Sequence, residues 1–169
     1  MSPVSLRRAD TDDHPALERL WLMFRHDMSE FDGTLPRPDG TFREERLRSA
    51  LTDPDWAPYL LLSEDRPAGL VFVRSLSTAP RVLNSFFVAR GARGSGLGMW
   101  AAREVVGRHP GPWEVAFQEA NPGAVRFWRR VATEVAGREW SEERRPVPGR
   151  PDVPHDVWIS FDAPARPGT

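Results

Sequence analysis

A glycine-rich segment in the middle of the chain has the residue types of an anion-binding loop. It reads Arg93-Gly94-Ser95-Gly96-Leu97-Gly98, follows the apolar residues 86–88, and leads into a run with helical apolar spacing up to Val106. Glycine accepts left-handed backbone conformations, so successive N–H groups can face one ligand at a helix start, where the helix dipole favours an anion. The segment therefore predicts a strand, a phosphate-binding loop and a helix.

The loop fits the spacing R-x-x-G-x-G and in this form resembles the acetyl-CoA loop of the GCN5-related N-acetyltransferases. Residues 121–128 resemble that family's N-x-x-A-x-x-F-Y motif, with Trp128 where tyrosine is usual. The resemblance implies that the loop amides hold the CoA pyrophosphate and that the preceding strand pairs with the pantetheine arm. The cofactor-binding residues it implies are Phe86, Phe87, Val88, Arg93, Gly94, Ser95, Gly96, Leu97, Gly98, Asn121, Phe127 and Trp128.

The fold class that follows is α/β (α+β), with a mixed, mainly antiparallel central sheet flanked by helices. A helix crosses between the strand before the loop and the strand at 113–118, so these two strands should be parallel. The resemblance implies that the sheet splays between them. We expect one acyl-CoA N-acyltransferase domain over residues 1–162 and a disordered tail over 163–169.

The remaining elements are placed by apolar periodicity and by Gly and Pro signals. Further strands are predicted at 4–8, 59–63, 69–76, 81–88, 134–142 and 156–161. Helices are predicted from Pro15 to Met28, at 42–51, from Leu97 to Pro110 and at 121–131, with a loop at 29–40 and a proline-rich link at 144–154.

The resemblance implies attack of an amine on the thioester of acetyl-CoA or another acyl-CoA, without a metal. The reaction needs a donor to the carbonyl oxygen, a base and an acid for the leaving thiolate. In the family the oxyanion donor is usually the backbone amide at the position of Val88, and the acid is usually the tyrosine that Trp128 replaces. An indole N–H donates hydrogen bonds but is not a practical proton source. Glu119 is the first candidate for the base, followed by Glu30, His26 and His155.

The acceptor is a small-molecule or peptide amine if the resemblance holds. The first helix, its loop and the second helix commonly wall the acceptor site in the family, which makes Phe24, Asp27, Glu30 and Phe31 the substrate-binding candidates. The acids of this region would favour a cationic amine, although such acids are also common on a solvated face. Nothing in the sequence selects one amine.

Two other functions compete with the transferase. A domain that binds acyl-CoA without turning it over, as a sensor or partner module, is favoured by the missing tyrosine. A dinucleotide-binding protein is suggested by the match of residues 96–101 to G-x-G-x-x-A, with Glu119 about 20 residues further on. Against that match, Ala89 to Ser95 separate the strand from the first motif glycine, and too few residues follow Glu119 to complete a doubly wound sheet.

Composition limits the function further. The chain has 169 residues, a net charge of -1 and no cysteine, which excludes disulfides, thiolate zinc sites and a cysteine nucleophile. A near-neutral balance gives no field that attracts nucleic acid or an anionic membrane. There is no lysine for a nucleotide triphosphatase loop. The sequence shows no membrane span or signal peptide, so we expect a cytoplasmic protein, with a homodimer left open.

Overall fold

The computed structural model describes residues 3–165, which form a seven-stranded mixed sheet with helices on both faces. The strands are β1 (Val4–Arg8), β2 (Ala57–Ser63), β3 (Arg66–Arg74), β4 (Arg81–Val88), β5 (Gly111–Phe117), β6 (Trp140–Arg145) and β7 (Asp156–Ala163). The helices are α1 (His14–Asp32), α2 (Glu45–Thr52), α3 (Leu97–Arg108) and α4 (Pro122–Ala136). No helix among residues 3–165 is long and apolar enough to cross a membrane.

The strand order is β1-β2-β3-β4-β5-β7-β6, and β4 and β5 are the parallel pair. Their pairing covers only Arg81 to Leu83 of β4, opposite Trp113 to Val115 of β5. Directly after Leu83, Asn84 forms a β-bulge, because Ser85 and Leu83 oppose the adjacent residues Phe72 and Val73 of β3. The mixed, mainly antiparallel sheet and its splay between β4 and β5 are confirmed.

The two faces of the sheet carry separate hydrophobic clusters. Side chains alternate between the faces of a strand, so neighbouring residues of β4 contact different helices. Phe87 packs against Phe24 of α1, with ring centroids 6.1 Å apart, and Phe86 packs against Phe127 of α4 at 5.4 Å. Helices α1 and α2 therefore cover one face, and α3 and α4 cover the other.

Helix α1 is longer than the sequence predicted. It continues through residues 29–32 and ends at Gly33, whose φ of 71° is the left-handed conformation that commonly stops a helix. The apolar stripe ends at Met28, but a polar last turn needs no apolar residue to stay helical. Glu30, Phe31 and Asp32 therefore lie on the helix and not in a loop.

Several other predicted boundaries were also wrong. The predicted strand at 134–142 is in part the end of α4, which stops at Gly137, and β6 starts only at Trp140. Helix α2 begins at Glu45, and β3 covers Arg66–Arg74, earlier than expected. Strand β7 extends to Ala163, which is buried and paired with Gly111, so the sheet includes the first residue of the expected tail. Residues 166–169 of that tail lie outside the described residues.

Gly69 allows β3 and β4 to approach closely, and its replacement tests their register. A Cβ at this position would lie 2.1 Å from the carbonyl oxygen of Phe87. Because backbone in a central strand cannot move aside, we expect Gly69→Ala to lower the free energy of unfolding by about 3 kcal/mol or more. Urea denaturation measures the loss. Gly91→Ala is the control, since nothing lies within 4 Å of a Cβ there; equal stability of the two variants would contradict the β3–β4 register.

Candidate active site

A cleft of about 840 Å³ lies where β4 and β5 separate. Residues of β4 and β5, on the two edges that face each other, line this cleft together with residues of all four helices. A strand that loses its neighbour leaves backbone N–H and C=O groups without strand partners on that side. Beyond Leu83 the edge of β4 therefore offers main-chain hydrogen bonds to a ligand inside the protein.

One end of the cleft is the glycine loop. Gly94 and Gly96 have φ values of 82° and 83°, and a Cβ on either would meet no heavy atom within 4 Å. Gly96 is the N-cap of α3, where helix N–H groups and the dipole favour an anion. An open cradle of left-handed glycines at a helix start fits a pyrophosphate group such as that of CoA.

Not every predicted loop residue faces the cleft. Gly94, Gly96 and Gly98 line it, as does Arg93. Ser95 instead donates from its hydroxyl to the carbonyl of Ala92 at 3.3 Å, and the side chain of Leu97 is buried in the core beneath α3. These two residues could contribute only their backbone to a ligand.

The arginine of the loop motif is fixed by two protein groups. Its Nε donates to the carbonyl oxygen of Val88 at 2.7 Å, and its Nη2 donates to the carboxylate of Asp27 on α1. Arg90 donates to the same carboxylate at 3.0 Å. Burial alone would raise the pKa of Asp27, but the hydrogen bonds and charges of Arg93 and Arg90 outweigh it, so the pKa lies below its ordinary value. Asp27 lines the cleft as expected, but its carboxylate already binds two guanidinium groups.

The middle of the cleft has an aromatic wall. Trp128 is buried, with its ring centroid 5.2 Å from Phe86 and 4.8 Å from Phe127. Among the described residues, no atom accepts a hydrogen bond from its indole N–H. Asn121 also lines this part, and its Oδ1 accepts from the N–H of Ala124 at 3.0 Å. Asn121 is thus the N-cap of α4, and its amide NH2 is left for other partners.

The other end of the cleft lies between α1, α2 and β7. Phe24, Glu30 and Phe31, predicted substrate-binding residues of α1, line the cleft. The structure adds charged and aromatic residues that the sequence analysis did not select: Arg25, Asp32, Arg46, Arg74, Asp156 and Trp158. Burial raises the pKa of Asp156, against the opposing charge of Arg46. At this end, charged and aromatic side chains would contact a ligand, whereas at the glycine loop the backbone would do so.

The predicted bases are not gathered at one point. Glu119 is exposed, forms an ion pair with Arg144 and is not among the residues that line the cleft. His155 is exposed as well and does not line the cleft. His26 borders a smaller adjoining cavity, and Glu30 borders both cavities.

Solved structures of the same shape are acetyltransferases. An acetyltransferase from Thermus thermophilus superposes with a TM-score of 0.66 at 17% identity, covering 94% of this chain and 96% of its own. Spermidine N-acetyltransferase from Vibrio cholerae, solved with CoA and spermine, gives 0.67 at 14% identity, with 95% of each chain covered. The ribosomal-protein-S18-alanine N-acetyltransferase of Escherichia coli gives 0.64 at 12% identity, covering 98% and 97%.

No protein-family model matches the sequence, and no curated protein is significantly similar to it. The similarity is therefore in the backbone fold and not in the sequence, and it covers nearly the whole chain. The chain has the fold of the GCN5-related N-acetyltransferases.

Gly96→Asp tests the pyrophosphate cradle. A carboxylate at the start of α3 would occupy and repel the place of a phosphate, so we expect CoA affinity to fall by at least about 100-fold, or about 2.7 kcal/mol. Titration calorimetry with CoA measures the change. Gly96→Asn is the matched control, because Asn has nearly the shape of Asp and a similar tolerance of positive φ without the charge, and it should bind CoA more tightly than Gly96→Asp. Unchanged affinity in folded Gly96→Asp would remove the loop from the site.

Asp27→Asn tests the link between α1 and the loop. Since the pKa of Asp27 is lowered in the folded state, its contribution is present above its ordinary pKa of 3.8 and is lost as pH falls through the lower folded value. We expect a loss of about 1 kcal/mol at pH 7, because both guanidinium groups are exposed to solvent. The difference from wild type in urea denaturation should shrink below pH 3.8 and vanish once the folded carboxyl group is protonated.

Glu30→Gln serves as the control for that substitution. Glu30 lies one turn further along α1 and forms no ion pair among the described residues, so the variant's stability should match wild type at pH 7. A loss that is equal in both variants, or that is independent of pH, would exclude the ion pairs as its cause.

Proposed function

We propose that the protein is an acyl-CoA-dependent N-acetyltransferase that acts on a primary amine. The observation that carries this proposal is the splay of β4 from β5 beside the glycine cradle at the start of α3. A pyrophosphate site then continues into a gap lined by main-chain groups and aromatic rings. The solved structures with this fold that are described above support the same activity.

Each part of the donor end has a role in this proposal. The amides of residues 94–98 hold the pyrophosphate, and the open edge of β4 pairs with the pantetheine arm. The backbone amide of Val88 is the proposed donor to the carbonyl oxygen. Acetyl-CoA supplies a thioester, so that a C–N bond to the acceptor forms, the C–S bond breaks, and the amine proton and the thiolate leave.

The departing thiolate has no phenol to protonate it at position 128. Trp128 offers an indole N–H without a protein acceptor among the described residues, which suits a hydrogen bond to sulfur but not a proton transfer. A free thiol has a pKa of about 8.5, so a thiolate is a tolerable leaving group near pH 8. We therefore propose departure as a thiolate, with water as the eventual proton source.

A base at the acceptor end of the cleft must take the proton that the attacking amine loses. The position of Glu119 outside the cleft counts against the base first expected. Glu30 and Asp156 are carboxylates on the cleft wall, and Asp156 has the raised pKa that a proton acceptor requires. Either carboxylate can receive the proton directly or through one water.

An acyl-CoA-binding module without turnover is the second candidate. The observation that favours it is the replacement of the usual phenol by Trp128. Both candidates require the same CoA-binding loop, so a measurement of CoA binding does not distinguish them. A measurement of turnover distinguishes the transferase from the binding module.

The decisive experiment incubates the protein with acetyl-CoA and a panel of amines that covers amino acids, polyamines, aminoglycosides and short peptides. Released CoA thiol is measured with a thiol reagent, and the product is identified by mass spectrometry. A protein without cysteine adds no thiol background. Acetylated product in any arm above the no-enzyme rate supports the transferase; CoA binding without product in every arm supports the binding module.

A pair of substitutions at Trp128 tests the route of the thiolate. Trp128→Tyr and Trp128→Phe differ only in a phenol hydroxyl, while both lose indole packing and should be destabilised by about 1–3 kcal/mol. If thiolate departure limits the rate, the Tyr variant should exceed the Phe variant by about 10²-fold in kcat. Stopped-flow thiol release at saturating acetyl-CoA measures the ratio. Equal rates in both variants would show that protonation of sulfur does not limit turnover.

A further inference from the structure

The acceptor end of the cleft carries an unusual set of arginines. Arg25, Arg46 and Arg74 come from α1, α2 and β3, yet all three line the same cavity. Arg25 lies 3.6 Å from Asp32, and its buried Nε has no hydrogen-bond partner among the described residues. Because an unpaired buried donor is costly, a site that keeps one is suited to receive an acceptor group.

Arg46 and Arg74 form no close ion pair in the described part of the chain, although Asp156 is near enough to Arg46 for their charges to interact. Arg74 donates only to the hydroxyl of Ser75, at 3.5 Å. Arg46 lies in the first turn of α2, where the helix dipole disfavours a cation. Arg46 is solvent-exposed in the cleft. Desolvation by the surrounding cleft wall and the positive charges of Arg25 and Arg74 lower its pKa, against the negative charge of Asp156. An anion bound between these guanidinium groups would relieve that repulsion.

A carboxylate faces the arginines across the cleft. Asp156, at the start of β7, lines the same cavity and forms no ion pair among the described residues. With Arg25 balanced by Asp32, the two remaining arginines share the cavity with two carboxylates that form no ion pair within residues 3–165, Asp156 and Glu30. A ligand that complements them carries an anionic group and a cationic group together.

We propose that the acceptor is a small amino acid-like molecule, a primary amine with a carboxylate, whose carboxylate binds between Arg46 and Arg74 while its ammonium faces Asp156. This inference rests on the proposed function and names its substrate class. The apolar residues Phe31 and Trp158 on the same wall favour an apolar side chain. A polyamine, by contrast, places further positive charge beside the arginines.

The arrangement also accounts for product release. Acetylation forms the C–N bond and breaks the C–S bond of acetyl-CoA, so that CoA leaves as the thiolate. The ammonium group loses two protons, so the product is an anion without a positive charge. Asp156 then loses its ion pair and can accept only a hydrogen bond from the neutral amide N–H. The product should therefore bind more weakly than the acceptor.

The test uses matched ligands that differ in charge at one group. L-Phenylalanine and L-methionine are compared with their amides and with phenethylamine, and spermidine is included as a polycation. Binding to the CoA-bound protein is measured by calorimetry, and acetylation by thiol release. We expect the amino acids to exceed their amides by at least about tenfold in affinity and in kcat/KM.

Variants assign the preference to the named arginines. Arg46→Gln and Arg74→Gln should each raise KM for the amino acids by about tenfold or more, and leave the KM of the amides and the affinity for CoA near wild type. Arg46→Lys should retain part of the preference, because it keeps the charge. Arg48→Gln is the control, since Arg48 lies on the same helix but pairs with Glu18 and Glu44 outside the cleft.

The outcomes separate this inference from the proposed function. Turnover without preference for the carboxylate, or with preference for spermidine, overturns the acceptor assignment and leaves the transferase. Selective binding of the amino acids without turnover overturns the transferase and leaves the anion site. Neither binding nor turnover with any ligand overturns both. A preference that survives in well-folded Arg46→Gln and Arg74→Gln also overturns the assignment.

Discussion

The short contact between β4 and β5 is the constraint on which the cleft depends. Three residue pairs join these strands, and the bulge at Asn84 marks the point where they part. Every other neighbouring pair in the sheet continues for at least five residue pairs. An unpaired strand edge is normally covered or charged, but here it forms a wall inside the protein. The gap therefore results from the backbone pairing of the strands and does not depend on a particular side chain.

The two ends of the cleft differ in whether backbone or side-chain groups face a ligand. At the glycine loop, left-handed glycines leave backbone groups open to a ligand. At the acceptor end, the contacts come from charged side chains on separate elements. A backbone site tolerates substitution where the new side chain stays outside it, which the carboxylate of Gly96→Asp would not, whereas a side-chain site changes with each residue.

The sequence predicted those parts that depend on local patterns. The glycine turn before α3 is a local signal, the parallel β4–β5 pair follows from the helix between the two strands, and the fold is confirmed. The acceptor residues are not local: Arg46 and Asp156 are far apart in sequence and meet only in the folded chain. Glu119 was selected because it follows a strand, yet its side chain pairs with Arg144 on the surface.

The ion pairs of Asp27 have a consequence for the order of events at the site. Arg93 is held by Val88 and Asp27 in the protein itself, so the loop needs little additional ordering when a ligand arrives, and less entropy is lost on binding. Asp27 lies on α1, the helix that also carries Arg25 and Phe31 at the other end of the cleft. In the proposed transferase, α1 therefore borders both substrates, and a displacement of this helix at one end of the cleft would also displace the carboxylate that holds Arg93 at the other.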